Sequence, residues 1–338
     1  MDRVHGNQRL IMTALSLDSA KARGTRHSKI KSPSMAYRFK LSEAFDDGVR
    51  RIGLQQIDRA IARLEVLDDE VTSVHETRKG MKRVRALLRL SRPGLSEETF
   101  AAENGCFRDI GRLLAAPRDR HVMIETAGKL EELAVGRAKT AVAAVRTKLG
   151  AANGGEAAPA DKRVIAQALF ELRGARQRMD DLKLRATSFE VAFDGVRQTY
   201  KQGVRAFEAA SGRDASAGDL HEWRKKVQHH WRHMMLLSLA WPEIFAARVA
   251  TARELSAALG EDNDIAMLQA ALTGDGAFEV TAAQRAAIEA VGGERRTALR
   301  LQAQALGRLL FAEKASAFRE RIRQYWTSAQ ESTVSRAD

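Results

Sequence analysis

Apolar residues along most of the chain recur every three or four positions, the spacing that places them on one face of an α-helix. Sustained alternation of apolar and polar residues, which is typical of strands, is not found anywhere in the sequence. The pattern therefore predicts an all-α protein. Its expected helices cover about 36–67, 74–91, 96–115, 119–149, 162–185, 189–210, 219–240, 243–259, 264–272, 281–312 and 315–328.

Three segments lack this periodicity. Residues 1–35 carry scattered Lys and Arg and the pair Ser32-Pro33, so we expect a mobile basic tail there. The segment GAANGGEAAPAD at 150–161 has three glycines, one proline and no bulky apolar residue, which indicates a linker. Residues 329–338 are expected to form a second tail. The predicted domain is 36–328, with one repeat at about 36–150 and another at about 188–328.

Two histidine-headed basic helices carry this internal repeat. They are VHETRKGMKRVRALLRL at 74–90 and LHEWRKKVQHHWRHMMLL at 220–237. His75 precedes Arg118-Asp119 by 43 and 44 residues, and His221 precedes Asn263-Asp264 by 42 and 43. Each of these pairs contains one aspartate and is expected in a turn. The near-equal spacing predicts that the chain contains two related halves.

A helical wheel separates each basic helix into two faces. The basic faces are His75, Arg78, Lys79, Lys82, Arg83, Arg85 and Arg89 on the first helix, and His221, Arg224, Lys225, Gln228 and Arg232 on the second. The apolar faces, expected in the core, are Val74, Met81, Val84, Leu87 and Leu88, then Leu220, Trp223, Val227, Met234 and Leu237. Shorter basic rows follow at Lys201 with Arg205 and at Arg308 with Lys314.

The predicted starts of these helices resemble capping boxes, Ser73-x-x-Glu76 and Asp219-x-x-Glu222. This interpretation places both histidines in the first helical turn, where free N–H groups favour an anion. A basic helix taken alone is more often a solvated surface. Duplication, the leading histidine and the separation of charge together favour an anion-binding site.

Composition supports an anionic partner without naming it. The 338 residues include 56 Lys and Arg against 43 Asp and Glu, which gives a net charge of +13. Such a field favours nucleic acid, anionic lipid or polyphosphate. No apolar run approaches the length of a membrane helix, so membrane insertion is not expected. LIMTALSL at 10–17 is a poor signal peptide, and the single Cys106 fits a reducing, cytoplasmic compartment.

Four segments of the chain resemble the CHAD domain family, whose name stands for conserved histidine α-helical domain. HETRKGMKRVR at 75–85 and HEWRKK at 221–226 are similar to its two signature helices. TYKQGVRAFEAA at 199–210 and LGRLLFAEKASAF at 306–318 resemble two further motifs. Arg118-Asp119 and Asn263-Asp264 fall at its Arg/Asn-Asp turns. The similarity runs from about Ala36 to Trp326.

The resemblance implies two pseudo-symmetric four-helix bundles around a central basic pore or groove that binds inorganic polyphosphate. The contacts it implies are His75, Arg78, Lys82, Arg83, Arg85, Lys201, Arg205, His221, Arg224, Lys225, Arg308 and Lys314. Lys79, Arg89 and Arg232 extend the same basic faces. Phosphate or sulfate ions are expected to enter the groove, and a cytoplasmic location on polyphosphate granules is expected.

The second helix departs from the family pattern at Gln228, His229 and Trp231. We therefore expect the second half to bind phosphate less strongly, or to bind more strongly at acidic pH through His229. The family is often fused to a triphosphate tunnel metalloenzyme domain, whose Glu-x-Glu-x-Lys motif this sequence lacks. These features predict a stand-alone binding module that is not an enzyme and carries no catalytic residue, metal or cofactor.

Two other functions remain open at this point. The phosphate backbone of RNA satisfies much of the same electrostatics, although few aromatics are present for base stacking and only Trp231 flanks the basic face. We expect nucleic acid to be a weaker competitor. A metal-dependent phosphohydrolase would use His75, Asp119, His121, His221 and Asp264. The cationic surroundings oppose a divalent ion, and adjacent His229 and His230 point in different directions on a helix.

Overall fold

The computed structural model describes residues 37–115, 119–151, 161–212, 214–273 and 279–334, without the side chains of 119–121 and 334. Over these ranges the structure contains eleven α-helices, two short 3-10 turns and no β-strand, which confirms the all-α prediction. One compact unit spans Ala36–Asp338. The predicted tail at 1–35, the segment at 10–17 and most of the predicted linker lie outside the described residues.

The helices, numbered in chain order, occupy nearly all of the described chain. They are α1 (Phe45–Val66), α2 (Glu70–Ser91), α3 (Glu97–Leu113), α4 (Asp119–Leu133), α5 (Gly136–Ala151), α6 (Lys162–Asp180), α7 (Glu190–Ala210), α8 (Ala217–Leu236), α9 (Pro242–Ala271), α10 (Ala282–Leu310) and α11 (Ala315–Val334). None of them combines the length and the apolarity that a crossing of the membrane requires.

Several predicted helix ends were wrong. Residues 37–44 are not helical, and Tyr37 and Phe39 bury their rings in the core instead. The predicted helix at 119–149 is broken before Gly136, whose φ of +55° is a conformation that only glycine adopts readily. At the C-terminal end, α11 continues through 329–334, where a tail was predicted.

The largest correction concerns α9. The predicted turn at Asn263-Asp264 lies inside this single helix of 30 residues. Asp262 is 3% exposed and accepts hydrogen bonds from Arg296 Nε at 3.1 Å and from Arg300 Nε at 2.9 Å. Because these arginines of α10 neutralise the buried carboxylate, the polar sequence GEDND remains helical.

Packing between helices crosses the two predicted repeats. Helices α1, α2 and α3 of the first half pack together with α6, which follows the predicted linker, while α4 and α5 pack against α9 and α10 of the second half. In the second half, α7 packs on α8 and α11, and α8 packs on α9. Helix α2 contacts both α7 and α8, which brings the two basic helices together at the junction. The pseudo-symmetry of two four-helix bundles stays a prediction.

Candidate functional site

The two basic helices begin earlier than predicted. Asp69 caps α2 by accepting from the backbone N–H of Thr72 at 3.1 Å. Ser216 and Asp219 form a true capping box at the start of α8. His75 is therefore the sixth residue of its helix and His221 the fifth. The predicted first-turn position of both histidines was wrong. Neither histidine can therefore contact an anion that is bound by the free N–H groups at the start of its helix.

The apolar faces of the basic helices pack into the core as predicted. Met81, Val84 and Leu87 of α2 are at most 1% exposed, and so are Trp223 and Val227 of α8. This burial fixes the rotation of each helix about its axis. It therefore decides which basic side chains reach the surface and which meet the neighbouring helix.

Contacts at the end of α2 define how the two basic helices cross. Arg89 Nε donates to His229 Nε2 at 3.2 Å, and His233 Nε2 lies 2.9 Å from the carbonyl oxygen of Ala86. Residues that come later in α8 thus meet residues that come earlier in α2, so the helices run antiparallel where they touch. His75 lies about 21 Å from Arg89 along α2, at about 1.5 Å per residue.

A polar cleft of about 260 Å³ opens where α2, α3, α7 and α8 meet. We name it the junction cleft. The residues that line it are basic, amide, hydroxyl or aromatic: Arg89, Arg92, Phe100, Asn104, Gln198, Thr199, Gln202 and Lys226. Segments before and after the predicted linker contribute to this wall, so the cleft forms only where these two parts of the chain pack together.

Positive charge dominates the junction cleft. Burial and, after it, repulsion from Arg85 and Arg92 together lower the pKa of Arg89 to about 10. Burial also lowers the pKa of Arg85, together with the charges of Arg108 and Arg112 on α3. A lowered arginine pKa means that the folded protein pays to keep the guanidinium charged. A bound anion would relieve that cost.

Hydrogen bonds position the cations of the cleft. Arg85 Nε donates to Asn104 Oδ1 at 3.2 Å, and Arg92 Nη2 donates to both carboxylate oxygens of Glu97 at 2.9 Å. Lys226 Nζ lies 2.9 Å from Glu222 Oε1. Hydrogen bonds from Lys225 and Lys226 are the main reason why the pKa of Glu222 falls to about 2, so this carboxyl stays charged.

Most of the predicted residues of α2 lie along one side of this site, whereas Arg83 donates to Gln56 Oε1 on α1 at 3.4 Å. Arg85 and Arg89 belong to the cleft region, while His75, Arg78 and Lys82 continue the row towards the start of the helix. Lys82 is exposed, whereas His75 and Arg78 are half-buried. Lys79 is exposed and pairs with Glu76 at 2.7 Å.

On α7, the predicted Lys201 and Arg205 share a helical face with Gln198 and Gln202 of the cleft wall, because the four recur at i, i+3, i+4 and i+7. Both basic side chains are exposed, so they extend the cleft along α7.

The predicted residues of α8 separate into different environments. Arg224 Nε donates to the carbonyl oxygen of Ser256 at 3.3 Å, which turns Arg224 towards α9. His221 and Lys225 are exposed. Arg232 was predicted on the open basic face, but it is only 9% exposed and donates to the carbonyl oxygen of Gln228 at 2.6 Å. A helical wheel gives the direction of a side chain, but it does not show the neighbouring helices that bury Arg232.

Two further predicted residues do not line the junction cleft. Arg308 lies near the end of α10 and Lys314 in the loop before α11, and both are exposed.

The expectation that acid strengthens binding through His229 was wrong. Burial lowers the pKa of His229 and His230 well below the ordinary value, and that of His233 to about 4. His229 accepts from Arg89, whereas His230 Nε2 accepts from Arg248 Nε at 3.0 Å. A nitrogen that accepts from an arginine is unprotonated, so these adjacent histidines are neutral partners of arginine on two different sides of α8.

The sequence-based list missed several basic residues of the site. Arg92 continues the α2 row by one turn, and Lys226 stands in the quoted motif HEWRKK. Arg108 and Arg112 form an i,i+4 row on α3 that carried no motif. Arg253 on α9 lies with its Cζ atom 4.8 Å from the ring centre of Trp231, and only the folded structure reveals that contact.

The described residues give no support to a metal-dependent phosphohydrolase. Within the described ranges, no group of three or more His, Cys, Asp or Glu side chains could hold a metal ion. Asp264 lies within α9 rather than in a turn. Arg118 and the side chains of Asp119 and His121 fall outside what the structure describes.

Comparison with known families gives one match. The model of the CHAD domain matches residues 51–273, which is more than half of the chain and includes both basic helices. No curated protein shows a significant match to the chain.

Proposed function

The chain belongs to the CHAD domain family, and from that premise we propose that its junction cleft binds inorganic polyphosphate. The observation that carries the proposal is the crowding of Arg85, Arg89 and Arg92, where burial and mutual repulsion lower the pKa of Arg89 to about 10. A polyanion threaded along these side chains would offset their mutual repulsion.

A linear polyanion suits this arrangement better than a single small ion. The basic row on α2 extends about 21 Å from His75 to Arg89, and Lys201 and Arg205 continue the cleft on α7. Arginine can contact a phosphate through two N–H groups, and lysine adds a mobile point charge. Several phosphates of one chain can therefore be held at once.

The proposal is binding without turnover, in association with polyphosphate granules. The residues that line the junction cleft are cations, amides, a hydroxyl and an aromatic ring, which fit an acceptor-rich ligand. Incubation of the protein with polyphosphate and Mg²⁺ or Mn²⁺ should release no phosphate. Release of phosphate would contradict the proposal that the protein only binds polyphosphate.

The direct test is a titration with polyphosphates of defined length. Arg92→Gln with Lys226→Gln should weaken binding by about a hundredfold or more, because two contacts are lost and each charged contact to phosphate contributes about 1.5–3 kcal/mol. The matched control is Arg137→Gln with Lys139→Gln on α5, which removes the same charge from exposed positions outside the cleft. Equal losses of affinity in both double variants would show that binding depends on net charge alone.

Nucleic acid fits the cleft less well. Phe100 is the aromatic residue of the cleft wall, but it is only 7% exposed, and Arg92 Cζ lies 4.6 Å from its ring centre. The ring of Trp231 is likewise covered by Arg232 and Arg253. Bases that stack need an open aromatic face. Single-stranded RNA should therefore fail to displace polyphosphate at equal phosphate concentration, and displacement would favour an RNA-binding protein.

A further inference from the structure

A second group of cations lies apart from the lining of the junction cleft, at the crossing of α1, α2, α8 and α9. It is called the Trp231 pocket and consists of Gln56, Arg83, Trp231, Arg232 and Arg253. The Cζ atoms of Arg232 and Arg253 lie 5.1 and 4.8 Å from the ring centre of Trp231. Arg83 Nη1 donates to Gln56 Oε1 at 3.4 Å. Two guanidinium groups thus lie against one indole ring, and Arg83 is close enough to repel both of them.

This pocket has more hydrogen-bond donors than acceptors. Trp231 Nε1 and Gln56 Nε2 are buried, and neither has a hydrogen-bond partner in the described part of the chain. Buried donors in folded proteins are nearly always satisfied, so two of them beside three cations indicate a missing acceptor.

The charges of the pocket are also unbalanced. Across the described ranges, no ion pair joins Arg83, Arg232 or Arg253 to a carboxylate. Arg253 Nη2 donates instead to the sulfur of Met235 at 3.6 Å. Burial lowers the pKa of Arg232 to about 10, and Arg83 and Arg253 contribute by repulsion. An unpaired buried charge is costly, so a bound anion would stabilise this arrangement.

The two basic helices differ at the position ten residues after the leading histidine. The offset between His75 and His221 also relates Arg85 to Trp231. In the first half Arg85 reaches across to Asn104 on α3, whereas in the second half Arg253 on α9 reaches across to Trp231. In the second half the cation therefore lies on the facing helix, against the aromatic ring.

We propose that the Trp231 pocket binds a doubly charged phosphoryl group and that Arg253 captures it at the pocket mouth. Three guanidinium groups with the indole and amide N–H groups suit an oxyanion that has three or four acceptor oxygens and more than one charge. Two sources share this chemistry: free orthophosphate and the terminal group of a polyphosphate chain. The second source rests on the proposed function, whereas the first does not. Arg253 is exposed and Arg83 half-buried, which leaves a route from solvent.

The test uses orthophosphate and tryptophan fluorescence. Titration of the full chain should change the fluorescence in a saturable way, and Trp231→Phe should remove that change. Arg253→Gln should weaken the response by about tenfold or more, because a charged contact is lost. Arg137→Gln, at an exposed position on α5, should leave it unchanged. Far-UV circular dichroism checks that each variant folds. No response in the natural protein, or an equal response in Arg253→Gln, would overturn the proposal.

Two triphosphates separate the ligand classes. Linear tripolyphosphate has doubly charged ends, whereas cyclic trimetaphosphate has the same number of phosphorus atoms and no end group. Linear tripolyphosphate should displace orthophosphate from the pocket and the cyclic compound should not. Equal displacement by both would contradict a site for terminal groups.

The junction cleft variant separates this proposal from the proposed function. Arg92→Gln with Lys226→Gln should weaken binding of long polyphosphate while the orthophosphate response persists. If long polyphosphate does not bind at all and the response persists, the proposed function fails and the pocket stands. If long polyphosphate binds and the response is absent, the pocket proposal fails alone.

Discussion

Burial fixes the protonation state of the histidines on α8, and His233 shows the consequence most directly. Its Nε2 lies 2.9 Å from the carbonyl oxygen of Ala86, and Nδ1 is buried with no hydrogen-bond partner in the described part of the chain. The ring is almost completely buried, which lowers its pKa from 6.5 to about 4. The folded protein therefore holds His233 neutral over a pH range in which the unfolded chain protonates it.

This difference predicts loss of stability in acid. Between pH 6.5 and about 4 the unfolded chain binds more protons at this position than the folded chain does, so stability falls as the pH falls through that window. The contribution of His233 is about 3 kcal/mol across the whole window. His233→Gln keeps a donor for Ala86 and should lose less stability between pH 7 and pH 5, as measured by urea unfolding.

The control for this prediction lies on the same helix. Burial also lowers the pKa of His221, but by less than that of His233, so His221→Gln should remove only a small part of the acid dependence. If His233→Gln and the natural protein lose equal stability, His233 is not held neutral by the fold.

The residue scale also shows what a sequence can predict about single side chains. Burial of Met81 and Trp223 followed from the wheel, because apolar residues on one face must leave water. Burial of Arg232 did not, because it depends on α9 and on Tyr37, which are far away in sequence. Arg253 was missed for the same reason, since its partner Trp231 belongs to another helix.

At the scale of elements, the close approach of α2 and α7 depends on Gly195. A Cβ atom at this position would lie 2.0 Å from the carbonyl oxygen of Leu90. Arg89, next to Leu90, and Thr199, one turn after Gly195, both line the junction cleft. The backbone contact therefore sets the width of the cleft at this crossing.

Gly195→Ala should destabilise the protein and weaken polyphosphate binding together. The added methyl group forces the two helices apart, and overpacking of this kind costs about 1–3 kcal/mol. Urea unfolding measures the first effect and the polyphosphate titration the second. Gly105→Ala on α3 is the matched control, because its Cβ would meet no atom within 4 Å. The control should stabilise the protein by up to about 1 kcal/mol, since alanine favours a helix. Equal stability of the two variants would show that the α2–α7 contact is not tight.

Helices were easier to predict than their ends. The 3.6-residue period located most of the helices because it reports burial directly. The ends depend on single side chains, such as the cap at Asp69 rather than Ser73. The continuation of α9 depends on Arg296 and Arg300, which bind Asp262 from another helix. No local pattern contains that information.

At the scale of the whole molecule, the net charge of +13 predicted an anionic partner but not the position of its site. The junction cleft forms because α2 of the first half contacts α7 and α8 of the second. The sequence predicted two related halves, but it did not predict the way in which they pack. The packing of α4 and α5 on α9 and α10 was also unexpected, since it joins segments on opposite sides of the predicted linker.

The cleft makes a quantitative prediction about salt. We assume that Arg85, Arg89, Arg92 and Lys226 each neutralise one phosphate of a flexible single chain. The logarithm of the affinity should then fall with the logarithm of the salt concentration, with a slope of about −0.7 per contact. Four contacts give a loss of about 50-fold between about 50 and about 200 mM salt.

Arg92→Gln with Lys226→Gln leaves two of these contacts, so its loss over the same range should be about sevenfold. Arg137→Gln with Lys139→Gln should keep the natural slope, because both positions are exposed on α5 outside the cleft lining. Isothermal titration at several salt concentrations measures all three slopes. If the cleft variant keeps the natural slope, the phosphates bind elsewhere on the basic surface. A change confined to that variant, by contrast, would locate counterion release at the junction of the two repeats.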